Sequence, residues 1–238
     1  MLNRCVVVAC AAIALLGAAA PSIEHIGRTQ AAIALPDAAP LGSVILIPGG
    51  TTLQTISSTG EPSSGGNFVM RIRGALVSAG FAIVYVEDPS DLRPIVARMR
   101  TIKRPVFLLS TSNGTRVAAA NAAALGTDGP DGVVLTSTVT VSTRLHPTTA
   151  ASVNVGKIAV PVLFVHNTND GCFASPPKAI AALIARFPRG ADVTRLDVTS
   201  PTTGFDPCEP YSPHGYMGIE DDVTAKIVAW MRAHGAAR

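Results

Sequence analysis

Ser112, in Phe107-Leu108-Leu109-Ser110-Thr111-Ser112-Asn113-Gly114, is the residue whose neighbours best suit it to covalent chemistry. An apolar run of strand character feeds a cramped turn of small residues, and an alanine-rich stretch of helical character leaves it. In that context the G-x-S-x-G pattern lifts a hydroxyl above the C-terminal end of a sheet, beside helix amides that favour developing negative charge. Thr111 and Ser110 do not hold the apex of the turn, so Ser112 is the expected nucleophile. The segment also suits a plain helix N-cap, a position that favours serine. A hydroxyl alone is a weak nucleophile. The catalytic reading therefore requires a base to take the serine's proton and an acid to orient that base.

On these residues the chain resembles the α/β-hydrolase superfamily, with Ser110 standing where the elbow's first glycine would be. The resemblance spans roughly residues 43 to 234. It implies that Asp170 is the acid, in the polar turn Asn167-Thr168-Asn169-Asp170-Gly171-Cys172, and that His214 is the base, in Tyr211-Ser212-Pro213-His214-Gly215-Tyr216 ahead of the last helix. His166 is expected to pack within its strand. His25, His146 and His234 are weaker bases by position, and Asp192, Asp197 and Asp206 are the competing acids. An oxyanion hole needs two preorganised donors. The resemblance implies the N–H of Asn113 and that of Gly50, with Thr51 behind it, because Pro48-Gly49-Gly50-Thr51 is similar to the family's H-G-x segment with Pro in place of His. Gly-Gly after a strand also suits an ordinary turn. The tail, with Asp206-Pro207-Cys208, His214-Gly215, Gly218-x-Glu220 and Trp230, is similar to secreted members whose acid loop carries Asp-Gly-Cys.

The resemblance implies a serine hydrolase that cleaves small-molecule carboxylic esters of small or short-chain acids through an acyl-enzyme. No G-x-G-x-x-G, P-loop or zinc-ligand spacing is present, so neither cofactor nor metal is expected. Two other readings stand beside it. One is a non-catalytic binding protein on the same fold. The other is a peptidase or acyltransferase using the same three residues.

The elements that must position these residues follow from hydrophobic runs and their punctuation. Strands are expected at Ser43 to Ile47, Phe81 to Val86, Val106 to Leu109, Gly132 to Leu135, Val162 to Val165 and Val193 to Val198. Helices are expected at Asn67 to Ala79, Asp91 to Arg100, Asn113 to Leu125, Pro176 to Phe187 and Glu220 to Ala233. This alternation predicts an α/β fold with a mostly parallel sheet of about six strands, covered by helices on both faces, in a minimal form lacking the first strands of larger members. Residues 21–41 read as a linker or N-terminal arm and 42–238 as the domain. The 139–158 segment is too short for a substantial lid.

The first twenty residues run from Arg4 through an apolar stretch to Ala18-Ala19-Ala20, the layout of a secretory signal peptide cleaved near Ala19. Cys5 to Ala20 is sixteen residues, short of the ~20 that a spanning helix needs. Val7-Val8-Ala9-Cys10 has the look of a lipobox, but its apolar lead-in is too short for lipid anchoring through Cys10. The expected location is therefore periplasmic or secreted, with no membrane span in the mature protein. Export would remove Cys5 and Cys10 and leave Cys172 and Cys208 in an oxidising compartment, where an even count suggests a disulfide, the alternative being two buried thiols. A net charge of +3 over 238 residues gives no nucleic-acid footprint. The mean hydropathy of +0.36 owes most of its excess to the leader.

Overall fold

The continuous apolar runs become strands whose two faces are both buried. The computed structural model describes residues 20–144, 147–201 and 206–235, so the expected leader, with Cys5 and Cys10, lies outside the described residues apart from Ala20. The strands are β1 (Ser22–Ile26), β2 (Thr29–Ala34), β3 (Gly42–Ile47), β4 (Phe81–Val86), β5 (Val106–Thr111), β6 (Gly132–Thr136), β7 (Val162–Asn167) and β8 (Val193–Val198). They form one sheet in the order β1-β2-β4-β3-β5-β6-β7-β8. From β4 to β8 all neighbours are parallel.

Successive side chains of a strand point to opposite faces. Ile45, Ile47, Val106, Leu108, Val133, Leu135, Val162 and Phe164 accordingly fill one core, and Val44, Leu46, Phe107, Leu109, Val134, Leu163 and Val165 fill the other. The helices are α1 (Phe68–Arg71), α2 (Arg73–Ser78), α3 (Arg93–Ile102), α4 (Gly114–Leu125), α5 (Ile180–Ile184) and α6 (Glu220–Gly235). Those contributing Ile95, Val117 and Ile180 cover the first core, and those contributing Val69, Leu76 and Ile227 cover the second. The helix expected over Asn67 to Ala79 is broken at Ile72 into α1 and α2. The one expected over Pro176 to Phe187 begins as a 3₁₀ turn, Pro177–Ala179, before α5.

Two expectations need correction. The sheet has eight strands rather than about six, and residues 22–34 of the expected linker are the missing two. They form a hairpin around Gly27-Arg28, with Gly27 at φ +62°, and β2 adds antiparallel to β4. Pairing with β4 buries Ala31, Ala32 and Ile33 completely or nearly so, although alanine gives little strand signal by itself. In the 139–158 segment, short 3₁₀ turns at Ala150–Ser152 and Val155–Lys157 pack Ala150, Val155 and Ile158 into the first core.

Candidate active site

All the loops that matter leave the C-terminal ends of the parallel strands. Ser112 follows β5 directly and precedes α4, with φ +52°, a left-handed conformation rare for a residue with a Cβ. Its N–H donates to the carbonyl of Thr136 (3.0 Å), so the turn hangs from the neighbouring strand. A Cβ on Gly114 would collide with the carbonyls of Ile47 and Pro48, which is why the elbow's second glycine is indispensable here. The first can be replaced because the Ser110 hydroxyl, buried in β5, donates to the carbonyl of Val134 (3.2 Å). Strain at a residue held in an unusual backbone region motivates a search for function around it.

Asp170 sits in the turn after β7 and is nearly fully buried. Its Oδ2 lies 2.9 Å from His214 Nδ1, and its Oδ1 accepts from the N–H of Cys172 at 2.9 Å. Ser175, a residue that sequence reasoning passed over, completes the cluster. Its Oγ donates to Asp170 Oδ2 and lies 3.0 Å from both that oxygen and His214 Nδ1. His214 occupies a 3₁₀ turn, Pro213–Gly215, capped by the Ser212 hydroxyl, which accepts from the His214 N–H (3.1 Å). Its Nε2 is buried and makes no hydrogen bond among the described residues.

The histidine loop is tied down from several sides. The hydroxyl of Ser137 donates to the His214 carbonyl (2.6 Å), and the buried Tyr216 hydroxyl donates to Val165 while accepting from the N–H of Ser137. Burial raises the Tyr216 phenol above its ordinary range and keeps it a neutral donor. Arg71, at the end of α1, donates to the carbonyls of Gly66, Pro210 and Gly215 and to Glu220 Oε1, at 2.6 to 3.0 Å. One guanidinium thus fastens the Ser/Gly loop to the loop that carries His214. Cys172 and Cys208 form a disulfide, which links the acid turn covalently to the segment leading into the histidine loop.

Ser112 and His214 line one cleft of about 520 Å³, together with Gly49, Gly50, Thr51, Leu53, Asn67, Cys208 and Glu209. No described residue of 139–158 lines it. Gly50 has φ +67°, and its carbonyl accepts from Asn113 Nδ2 at 2.7 Å, so the Asn113 side chain fixes the loop that was expected to supply the second oxyanion donor. The amides of Asn113, Gly50 and Thr51 donate to no carbonyl or side chain among the described residues.

The rival residues lie elsewhere. His25 is on β1 at the far edge of the sheet, and His234 packs on Trp230 and lies 3.3 Å from Asp192. His146 lies outside the described residues. Asp197 pairs with Arg195 (3.0 Å), and Asp206 accepts from the Cys208 N–H (2.9 Å). Only Asp170, among the described carboxylates, bonds to His214. No cluster of metal-ligating side chains occurs among the described residues. Nor is any helix there long and apolar enough to cross a membrane.

His166 is wholly buried in β7 and accepts from the N–H of Thr138 through Nε2 (3.0 Å). Burial pulls its pKa down to about 4, against the opposing attraction of Asp170. In the unfolded chain a histidine titrates near 6.5. Between those values the unfolded state binds the extra proton, so the stability associated with neutral His166 is complete above pH 6.5 and drains away as pH falls toward 4, by about 3 kcal/mol in all. His166→Gln, which can still accept from Thr138, should remove that part of the acid dependence. Urea unfolding at pH 7, 5.5 and 4.5 checks it, and parallel profiles for the two proteins would refute it.

No family model and no curated protein matches this chain. Solved structures do match it. Est1E from Butyrivibrio proteoclasticus superposes with a TM-score of 0.62 at 14% identity, covering 92% of this chain and 100% of that one. A soluble variant of monoglyceride lipase from Saccharomyces cerevisiae gives 0.61 at 10% identity, with 94% and 97% covered. A carboxyl esterase from Bacillus coagulans gives 0.58 at 12%, with 90% and 98% covered. The protein has the α/β-hydrolase fold.

Proposed function

We propose that the protein is a cofactor-independent serine hydrolase that cleaves carboxylic esters of small or short-chain acids. The observation that carries this reading is the buried Asp170–His214 pair, whose histidine lines the same cleft as Ser112, itself at the left-handed apex of a strand–turn–helix. Ser112 Oγ would attack the acyl carbon while His214 Nε2 takes its proton, and Asp170 would hold Nδ1 and balance the charge of the imidazolium. The free state of Nε2 fits this role, since hydrogen bonds between nucleophile and base often tighten only when substrate is bound. The amides of Asn113 and Gly50 would face the developing oxyanion. His214 would then protonate the leaving alcohol, and a water, activated in the same way, would release the acid.

A cleft that no described residue of 139–158 lines favours small esters over dispersed lipids. The Cys172–Cys208 disulfide supports export to an oxidising compartment, periplasmic or extracellular. The test is reaction with a fluorophosphonate probe followed by peptide mass spectrometry. The adduct is expected on Ser112. An unlabelled protein would favour a non-catalytic binder on this fold, and an adduct on another serine would overturn the assignment of the nucleophile.

A further inference from the structure

Asn67 stands at the last non-helical position before α1. Asparagine in that position ordinarily turns its side-chain oxygen onto an amide of the first turn. Here the side chain makes no such bond. Its Oδ1 is sealed from solvent without a donor, while Nδ2, which likewise has no partner among the described residues, keeps accessible surface. The residue lines the cleft with Ser112, Gly50 and His214. Gly49 shows how near the amide comes to the nucleophile. A Cβ built there would sit 2.8 Å from Ser112 Cβ and 3.2 Å from Asn67 Nδ2, so both press on the one face of Gly49 that has no side chain. An asparagine that leaves its helix uncapped and turns its donor end to a reactive cleft is placed for a ligand.

We propose that Asn67 Nδ2 is a catalytic hydrogen-bond donor to the oxyanion, acting beside the N–H of Asn113. The inference rests on the esterase reading above. As Ser112 Oγ bonds to the acyl carbon, its proton passes to His214 Nε2 and the carbonyl π pair moves onto oxygen. That oxygen takes hydrogen bonds from the N–H groups of Asn113 and Gly50 and, in addition, from Asn67 Nδ2. When the pair returns, the bond to the alcohol breaks and the leaving oxygen takes the proton from His214. Asn67 neither gains nor loses a proton, and its contribution grows with the charge on the oxygen.

The experiment compares Asn67→Ala and Asn67→Asp with the wild type, using p-nitrophenyl acetate as substrate and a trifluoromethyl ketone that Ser112 converts to a hemiketal oxyanion. Both variants should lose about 100- to 1000-fold in kcat. KM should stay within about threefold, and inhibition by the ketone should weaken in step with kcat. Aspartate matches asparagine in shape and is itself a favoured N-cap, so Asn67→Asp carries the test if the alanine variant folds poorly. Wild-type kcat in a folded variant, or a loss confined to KM, would overturn the role of Asn67 and leave the esterase reading intact. A wild-type protein that neither hydrolyses the ester nor takes the fluorophosphonate would overturn both.

Discussion

Replacing Ser112 by alanine is expected to lower kcat for an activated ester by on the order of 10⁶-fold while leaving the fold unchanged. The substitution deletes one oxygen at a turn beside an open cleft. The left-handed backbone at this position costs alanine much what it costs serine, and the N–H bond to Thr136 survives. What disappears is the only atom of this residue able to form the acyl-enzyme. Residual turnover would come from water attacking a carbonyl still held by the amides of the cleft, so the loss is large without being complete. The measurement is steady-state hydrolysis of p-nitrophenyl acetate beside thermal unfolding. A folded variant with more than a few per cent of wild-type kcat would shift the nucleophile elsewhere.

Asp170→Asn should cost about 10⁴-fold in kcat, for a reason written in the hydrogen bonds around the carboxylate. Oδ1 accepts from the N–H of Cys172, and that bond dictates which way an asparagine amide must turn. Its oxygen must face Cys172, so its NH₂ group takes the place of Oδ2 against His214 Nδ1. Nδ1 then has to accept, its proton moves to Nε2, and the base can no longer take a proton from Ser112. Stability should change far less, since the Ser175 hydroxyl can rotate to suit an amide. Kinetics together with nitrogen NMR of the His214 tautomer decide the matter. A variant that keeps a tenth of wild-type kcat would show that another carboxylate orients the histidine.

Much of the fold was legible because its core strands carry a signal that needs no partner. β3 to β7 read as unbroken Val/Ile/Leu runs, and runs of that kind belong between two layers of helices. The elbow was legible for a similar reason, since the steric demand that makes Gly114 necessary and Ser110 tolerable is local to one turn. The order Ser112, Asp170, His214 then followed from likeness to a superfamily, and the tertiary structure brings the last two within a hydrogen bond of each other.

What the sequence could not determine depends on neighbours distant along the chain. β1 and β2 have little apolar signal, and Ala31 and Ala32 are strand residues because the edge of β4 lies open to be paired. Ser175 is one serine among many until the β7 turn folds back to set it 3.0 Å from both Asp170 and His214. Arg71 is in the sequence only one residue of the helix expected over Asn67 to Ala79. In the fold its guanidinium gathers the carbonyls of Gly66, Pro210 and Gly215, because the Ser/Gly loop and the His214 loop meet there with acceptors to satisfy. Asn67 is in the sequence only the first residue of the helix expected over Asn67 to Ala79, and in the fold it lines the cleft. Hydrophobic period and turn sterics are properties of a short stretch of chain, and the sequence determined what they govern. Hydrogen-bond partners are assigned by the surfaces that pack together, so only the tertiary structure decided which polar side chains meet around Ser112.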